Sequence, residues 1–391
     1  MHPWVLTNPF HMRIAVNTRM LIADRLDGTG WFSAESLKRI VAAHPEHQFI
    51  FLFDRPYDNR FVFAPNVTPL VVFPPARHPL LWYAWFEISL PPILKKWRPD
   101  LFFSPDGFLS LRAGVPSFIV IHDLNFEHHP EWLPPASRWF YRHFFPWYAK
   151  KASMIATVSE FTRNDICHTY GIPTSKIDVT PVGVDTDFHP LDEAEKRMVK
   201  QELTGGDDYF LFSGNQHPRK NISRMLAAFE RFREKTDLPV KMVITGKKLF
   251  LATDVKQTLK HMRCRHEVIF TGWLDRPQLG RITASALAAV YVSLFEGFGI
   301  PLLEAMQCEV PLLTSRITAM PEVASGAALY ADPLSIDSIT DGMIQLATNE
   351  EIRKRLLTTG RERREQFSWN CTADKLWKMM ERCMQQEKFT A

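Results

Sequence analysis

The sequence has no Cys-x-x-Cys pair. Its five cysteines (Cys167, Cys264, Cys308, Cys371 and Cys383) are odd in number and scattered along 391 residues. That spacing argues against a zinc ribbon or a disulfide scaffold, and for free thiols in a reducing, cytoplasmic compartment. A long apolar run is also missing. The nearest candidate, HPLLWYAWFEISLPPIL at 78–94, is broken by Glu87 and three prolines, so no transmembrane span is expected. The start, MHPWVLTNPFHM, lacks the apolar core of a secretory leader and contains two prolines; the fold is expected to begin at Met12 with the strand-like MRIAVNT. The net charge is only +4 at this length, which excludes a strong nucleic-acid binder and fits an anionic small ligand. Neither a G-x-S-x-G elbow nor a Walker A loop is present, and no internal repeat or low-complexity segment appears.

What remains is a globular composition, 46% apolar and 23% charged, in a chain long enough for two domains. Short unalternating runs rich in β-branched and aromatic residues read as strands: 13–18, 48–53, 69–73, 100–104, 117–123, 153–159 and 177–182, then again 209–214, 240–246, 267–272, 288–293, 310–315 and 327–331. Such runs suit strands buried on both faces of a parallel sheet, and amphipathic segments such as NISRMLAAFERFREKT (221–236) lie between them. Strand–helix alternation in two blocks predicts an α/β chain of two doubly wound, Rossmann-like parallel-sheet domains facing across a cleft. The expected bounds are 1–185 and 190–369, with a polar hinge near 182–196 and a C-terminal amphipathic helix, 370–391, crossing back onto the first domain through its LWKMM face. Residues 78–94 read in two ways. With Lys95, Lys96 and Arg98 behind them they suit a peripheral contact at the inner face of a membrane; the plainer reading is a buried helix with a solvated basic end.

Ligands of open α/β sheets bind beyond the C-terminal ends of the strands, so the residues there carry the chemistry. In SLFEGFGIPLLEAM (293–306) a strand runs into a glycine turn, and Pro301 opens a helix. Gly299 allows the turn, the helix N-terminus offers N–H groups to a phosphate, and Glu304, one turn in, can accept two hydrogen bonds from a vicinal diol such as a ribose. Glu296 precedes the turn and is expected to aim across the cleft. The pattern suits one carboxylate for each end of a sugar-nucleotide, with the diphosphate between; the alternative is two glutamates that merely offset the helix dipole. In FSGNQHPRKN (212–221), Gly214 ends a strand while Arg219 and Lys220 precede a helix, a place for cations only if they face an anion such as a diphosphate, or else a solvated basic turn. In the first half, DGTGWF (27–32) can offer backbone N–H groups near Gly30, and His122 stands at a strand's C-terminal end. Asp185-Thr186-Asp187 reads as turn chemistry rather than a metal motif, and EHHPEW lacks the spacing of a zinc helix, so no metal site is expected.

E-GFGIPLL-E, with seven residues between the glutamates, resembles the signature of the family 4 retaining glycosyltransferases of the GT-B fold, in particular bacterial mannosyltransferases. FSGNQHPRKNISRMLAAF is similar to their donor-phosphate segment, FTGWLDRPQLGRITASA to their base-contacting segment, and IHDLNF with YRHFFPWYAKKASMIATVSEFTRNDI to their first-domain stretch. PVGVD matches the run before their linker, and the resemblance covers nearly the whole chain. It implies Glu304 on the donor ribose, Glu296 on the transferred sugar, Arg219 and Lys220 on the diphosphate, and His122 facing the reacting sugar. Gly30, Gly214, Leu274, Phe298 and Gly299 complete the implied donor site. Arg219 and Lys220 are adjacent here, whereas many members space them five apart, so Lys220 is matched more firmly. The implied activity is metal-independent hexose transfer with retention, from GDP-mannose or another GDP- or UDP-sugar, to a saccharide or lipid-linked acceptor in surface polysaccharide synthesis, without a bound cofactor and without nucleic acid. Competing readings are a sugar-nucleotide epimerase or phosphorylase on the same fold, or a binding protein that has lost catalysis. The acceptor and the oligomeric state are not legible.

Overall fold

A computed structural model describes residues 12–24, 26–246 and 253–388. The sequence readings that concern residues 1–11 lie outside the described residues. Among the described residues, thirteen strands form two sheets in which every pairing is parallel. The chain separates into two compact units, one running to Val182 and resuming at Trp369, the other Gly183–Ser368.

In the first unit the strands are β1 (Arg13–Asn17), β2 (Gln48–Phe53), β3 (Val67–Val71), β4 (Leu101–Ser104), β5 (Ser117–Ile121), β6 (Met154–Thr157) and β7 (Ile177–Val179), in the order β3-β2-β1-β4-β5-β6-β7. In the second they are β8 (Tyr209–Ser213), β9 (Lys241–Thr245), β10 (Val268–Gly272), β11 (Ala288–Tyr291), β12 (Leu312–Ser315) and β13 (Leu329–Ala331), ordered β10-β9-β8-β11-β12-β13. Twelve of the thirteen predicted runs contain one of these strands whole, and the run 69–73 overlaps β3, which starts two residues earlier. Five of the strands (β4, β5, β6, β11 and β12) are buried along their whole length, which is why their sequences do not alternate.

Both orders reverse at one place, between β1 and β4 and between β8 and β11. There the connections leave the sheet in opposite directions and open a crevice at the strands' C-terminal ends.

Residues 79–97 form a helix, Pro79–Tyr83, a wide π turn at Ala84–Ser89 and a second helix, Leu90–Trp97. Trp85 and Phe86 are buried, and the carboxylate of buried Glu87 accepts the Leu111 N–H at 2.8 Å. Burial pushes the Glu87 carboxyl up. Leu80 and Ile88 of the same segment stay exposed.

The C-terminal helix Trp369–Lys388 packs on the first unit. Arg39 donates to Asn370 at 2.9 Å, Thr372 donates to the Pro181 carbonyl at 2.6 Å, and His44 stacks on Trp377 at 3.7 Å. Leu376, Trp377, Met379 and Met380 are buried, so the LWKMM face is covered as its pattern requires. Among the described residues no helix is long and apolar enough to cross a membrane.

Candidate functional site

The site of the second unit lies at its order reversal. After β8, Gly214 adopts φ +148° and its N–H donates to the Thr245 carbonyl at 3.1 Å. A short 3₁₀ turn, Pro218–Lys220, follows, and the helix Ile222–Lys235 begins behind Asn221. Asn221 holds φ +60° because its side-chain amide is clamped, donating to the carbonyls of Val292 at 3.0 Å and Pro333 at 2.7 Å. The Leu294 N–H donates to the Arg219 carbonyl at 2.7 Å. The turn after β8 is thereby tied to the turn after β11, and their charged side chains meet.

Arg219 donates to Glu296 Oε2 at 2.5 Å and Lys220 to Glu296 Oε1 at 2.5 Å. Tyr291, the last residue of β11, accepts from Lys220 and donates to Glu296 Oε1 at 3.1 Å. The Lys220 ammonium also lies 4.7 Å from the Tyr291 ring centroid. Burial pushes the Glu296 carboxyl up, but the charges of Arg219 and Lys220 outweigh it and hold it at about 2. Burial, reinforced by that carboxylate, holds the Tyr291 phenol far above its ordinary value. Glu296 is therefore ionised and buried, and where the sequence reading aimed it across the cleft, its two oxygens are bonded to cations of its own unit.

The helix Ile300–Gln307 begins four residues after Glu296. Gly299 precedes it at φ +102°, a backbone conformation that L side chains rarely adopt, so the turn calls for glycine there. Phe298 is buried with its ring against Phe367, centroids 5.7 Å apart, and so packs the turn from inside the unit.

Glu304 is buried one turn into this helix and pairs with Arg276 at 3.1 Å. Burial pushes the Glu304 carboxyl up against the pull of Arg276. Arg276 opens the helix Arg276–Ala284, capped by Asp275, and Leu274 is half-buried in the connection from β10. The Arg276 guanidinium also faces Asp185 at 3.4 Å and lies 4.7 Å from the Phe188 ring centroid. Asp185 thus serves a structural pair, and the Asp187 carbonyl lies where a Cβ on Gly280 would approach to 2.2 Å. The structure therefore anchors this acidic segment inside the second unit.

In the first unit, the helix Gly28–Ala43 starts at Gly28 itself, and the Gly30 N–H is taken by the cap Asp27 at 3.0 Å. That donor is committed inside the protein, contrary to the expectation that it faces a ligand. His122 bonds through Nε2 to the Pro105 carbonyl at 2.8 Å and meets the Phe32 ring edge-on at 4.9 Å. Burial pushes its imidazole down, against that carbonyl and the nearby carboxylates, so it is neutral near pH 7.

Sequence reasoning missed three features. Tyr291 sat in a run read only as strand. Arg276 carried a signal, being the cation directly after a helix cap in the base-segment motif. The third is a buried cluster at the β1/β4 reversal: Arg19 donates to Asp106 at 2.6 Å, and Asn17 and Ser104 donate to the same carboxylate at 2.9 and 3.1 Å. Among the described residues, the one His/Cys/Asp/Glu group close enough to share a cation is His44, Glu46 and His47. It lies just before β2, at the opposite end of the strands from His122, and His47 Nδ1 is occupied by the Met12 N–H at 3.2 Å.

Two family models match the chain, "Glycosyltransferase Family 4" over residues 37–188 and "Glycosyl transferases group 1" over residues 193–363. The chain is 28% identical over 363 residues to the O-antigen chain mannosyltransferase B of Escherichia coli, covering 89% of this chain and 94% of that protein. Among solved structures it is similar to the sucrose-phosphate synthase of Thermosynechococcus elongatus, with a TM-score of 0.78, 15% identity and coverage of 95% and 99%. Anabaena HepE, solved in complex with UDP and glucose, gives a TM-score of 0.74 at 13% identity, covering 95% of this chain and 100% of that one.

Proposed function

Because the chain belongs to the family 4 glycosyltransferases of the GT-B fold, we propose that it moves a hexose, mannose from GDP-mannose, onto a saccharide or lipid-linked saccharide of a surface polysaccharide, with retention and without a metal. The observation that carries this reading is the pair of adjacent cations at 219–220, both held by the buried carboxylate of Glu296 where the turns after β8 and β11 meet. Cleaving a sugar–phosphate bond builds negative charge on the leaving diphosphate. Two cations already fixed by a buried carboxylate need little reorganisation to receive it. Arg219 supplies the planar fork and Lys220 the point charge. Glu304, buried and oriented by Arg276, accepts the ribose hydroxyls. Glu296 uses whatever acceptor capacity its cations leave free for the transferred sugar.

The choice of mannose is supported by the name of the Escherichia coli relative. The competing base, uracil, is supported by the UDP bound to HepE. A thermal-shift series with GDP, UDP and their sugars separates the two. A ligand at 100 times its dissociation constant adds about 2.7 kcal/mol of stability, and the cognate base is expected to act at a concentration at least tenfold lower than the other. No stabilisation by either nucleoside diphosphate overturns the donor-site reading. Full transfer in EDTA is expected, and loss of transfer restored by Mg²⁺ overturns metal independence. The anomeric coupling of the product reports retention directly.

A further inference from the structure

The helix Pro135–Lys151 has two unlike faces. Phe140, Phe144, Phe145, Tyr148 and Ala149 are buried in the first unit's core. The opposite face leaves Trp139 62% and Trp147 55% exposed, an unusual place for two indoles. Between them stand His143, stacked on Trp139 at 5.1 Å, and Arg142; Lys150 lies over the Trp147 ring at 5.4 Å. Trp139, His143 and Arg142 line a shallow open depression with Pro135 and Arg138.

The apolar surface continues onto the neighbouring helix Pro79–Tyr83. Tyr83 and Trp139 both contact the Phe144 ring, each with centroids 6.0 Å away. Leu80, three residues before Tyr83 and so on the same helical face, is 76% exposed.

Charge follows the same division. Residues 78–98 and 135–151 contain seven Lys and Arg side chains (Lys95, Lys96, Arg98, Arg138, Arg142, Lys150 and Lys151) and a single carboxylate, Glu87, which is buried. Arg142 is partly neutralised by Glu127 of an adjacent helix at 3.3 Å; Lys150 and Lys151 are exposed.

We propose that this face of the first unit seats on an anionic phospholipid bilayer, with Trp139, Trp147 and Leu80 entering the headgroup–acyl boundary and the lysines pairing with lipid phosphates. Indoles prefer that boundary because their rings are apolar and their N–H still finds water, while Lys and Arg stems lie along apolar surface with their heads in the polar layer. A nucleic acid would accept the cations but not require Leu80. An apolar protein groove would accept the indoles but not require a face free of exposed carboxylates on its own helices. The bilayer uses both properties. The proposal is independent of which sugar is transferred.

Vesicle co-sedimentation of the full chain tests it. Binding to phosphatidylglycerol/phosphatidylethanolamine vesicles is expected to exceed binding to phosphatidylcholine vesicles at least tenfold, and to weaken between 0.05 and 0.5 M NaCl, as expected when surface charges are screened. Trp139→Ser/Trp147→Ser and Lys150→Glu/Lys151→Glu are each expected to lower binding at least tenfold while melting temperature and donor hydrolysis stay at wild-type values. Hydrogen exchange on the unaltered protein, slowed over residues 135–151 by anionic vesicles alone, gives a readout that needs no variant. Equal binding to both vesicle types overturns the proposal, as do charge variants that bind like wild type. So does light scattering that shows a wild-type dimer dispersed by the tryptophan substitutions, which would assign the face to a second copy.

Discussion

The two sheets reverse strand order in the same way, yet the side chains at the two reversals are charged differently. Beyond β8 and β11, two cations, Arg219 and Lys220, share the carboxylate of Glu296. Beyond β1 and β4, Arg19 faces Asp106 one to one, and Asp106 Oδ1 also takes Asn17, Ser104 and the Phe108 N–H, so that cluster is neutral and saturated. One topology thus gathers two cations on a single buried carboxylate in one unit and forms a closed polar floor in the other.

The largest expected effect breaks a pair that resembles the neutral floor but sits in the charged unit. Arg276→Ala leaves Glu304 buried without its cation and is expected to cost about 3–5 kcal/mol in urea unfolding at neutral pH. Because burial pushes the Glu304 carboxyl up, protonation relieves part of that cost, so the deficit should shrink as the pH is lowered toward 5. A deficit independent of pH would mean that the arginine acts through packing on Phe188 instead.

The next prediction sharpens the comparison itself. Lys220→Ala removes one of the two cations while Arg219 still partners Glu296, so kcat is expected to fall about 10²–10³-fold, as for loss of one transition-state donor. Stability per molecule should change much less. A variant that unfolds readily but keeps its specific activity per folded molecule would make Lys220 structural.

Arg19→Ala is the matching change at the neutral reversal. It is expected to cost about 1–3 kcal/mol of stability by leaving the Asp106 carboxylate short of one donor, and to leave nucleoside diphosphate affinity unchanged. If Arg19→Ala weakened GDP or UDP binding as much as Lys220→Ala did, the contrast between the two reversals would be lost.

The smallest effect is a pH slope. Against its burial, Glu296 is held at about 2 by Arg219 and Lys220. A depressed carboxyl contributes stability above its ordinary value near 4.5 and loses it as the pH falls toward 2. Glu296→Gln should therefore make the acid-side fall in stability shallower by about one proton between pH 4.5 and 2, measured by chemical unfolding at a series of pH values. An unchanged slope would mean that the carboxylate is not held down by its neighbours.

The strands were legible because a strand buried on both faces must be apolar throughout, and little else in a polar chain looks like that. The EGFGIPLLE turn was legible because the glycine and proline there are set by backbone geometry that no neighbour can supply. Glu296 was found in the sequence but misdirected. Its partners stand 77 and 76 residues away, and only the adjacency of β8 and β11 tells it to turn inward. Arg276 and Glu304, 28 residues apart, meet for the same kind of reason. The N–H groups near Gly30 read as available to a ligand because the capping of Gly30 by Asp27 appears only once the helix start is fixed.

By itself, then, the order of residues determined two parallel-sheet units, their strands, the glycine-led helix start at 299 and the residue types at the C-terminal ends of the strands, because each follows from local backbone limits or from periodicity of burial. Tertiary structure alone decided which charges meet, which carboxylate is ionised and which is pushed up, and which face of the helix 135–151 is left uncovered. Pairing and desolvation act between residues that are distant in the chain and adjacent in space, and their sign depends on distances and burial that no linear pattern contains.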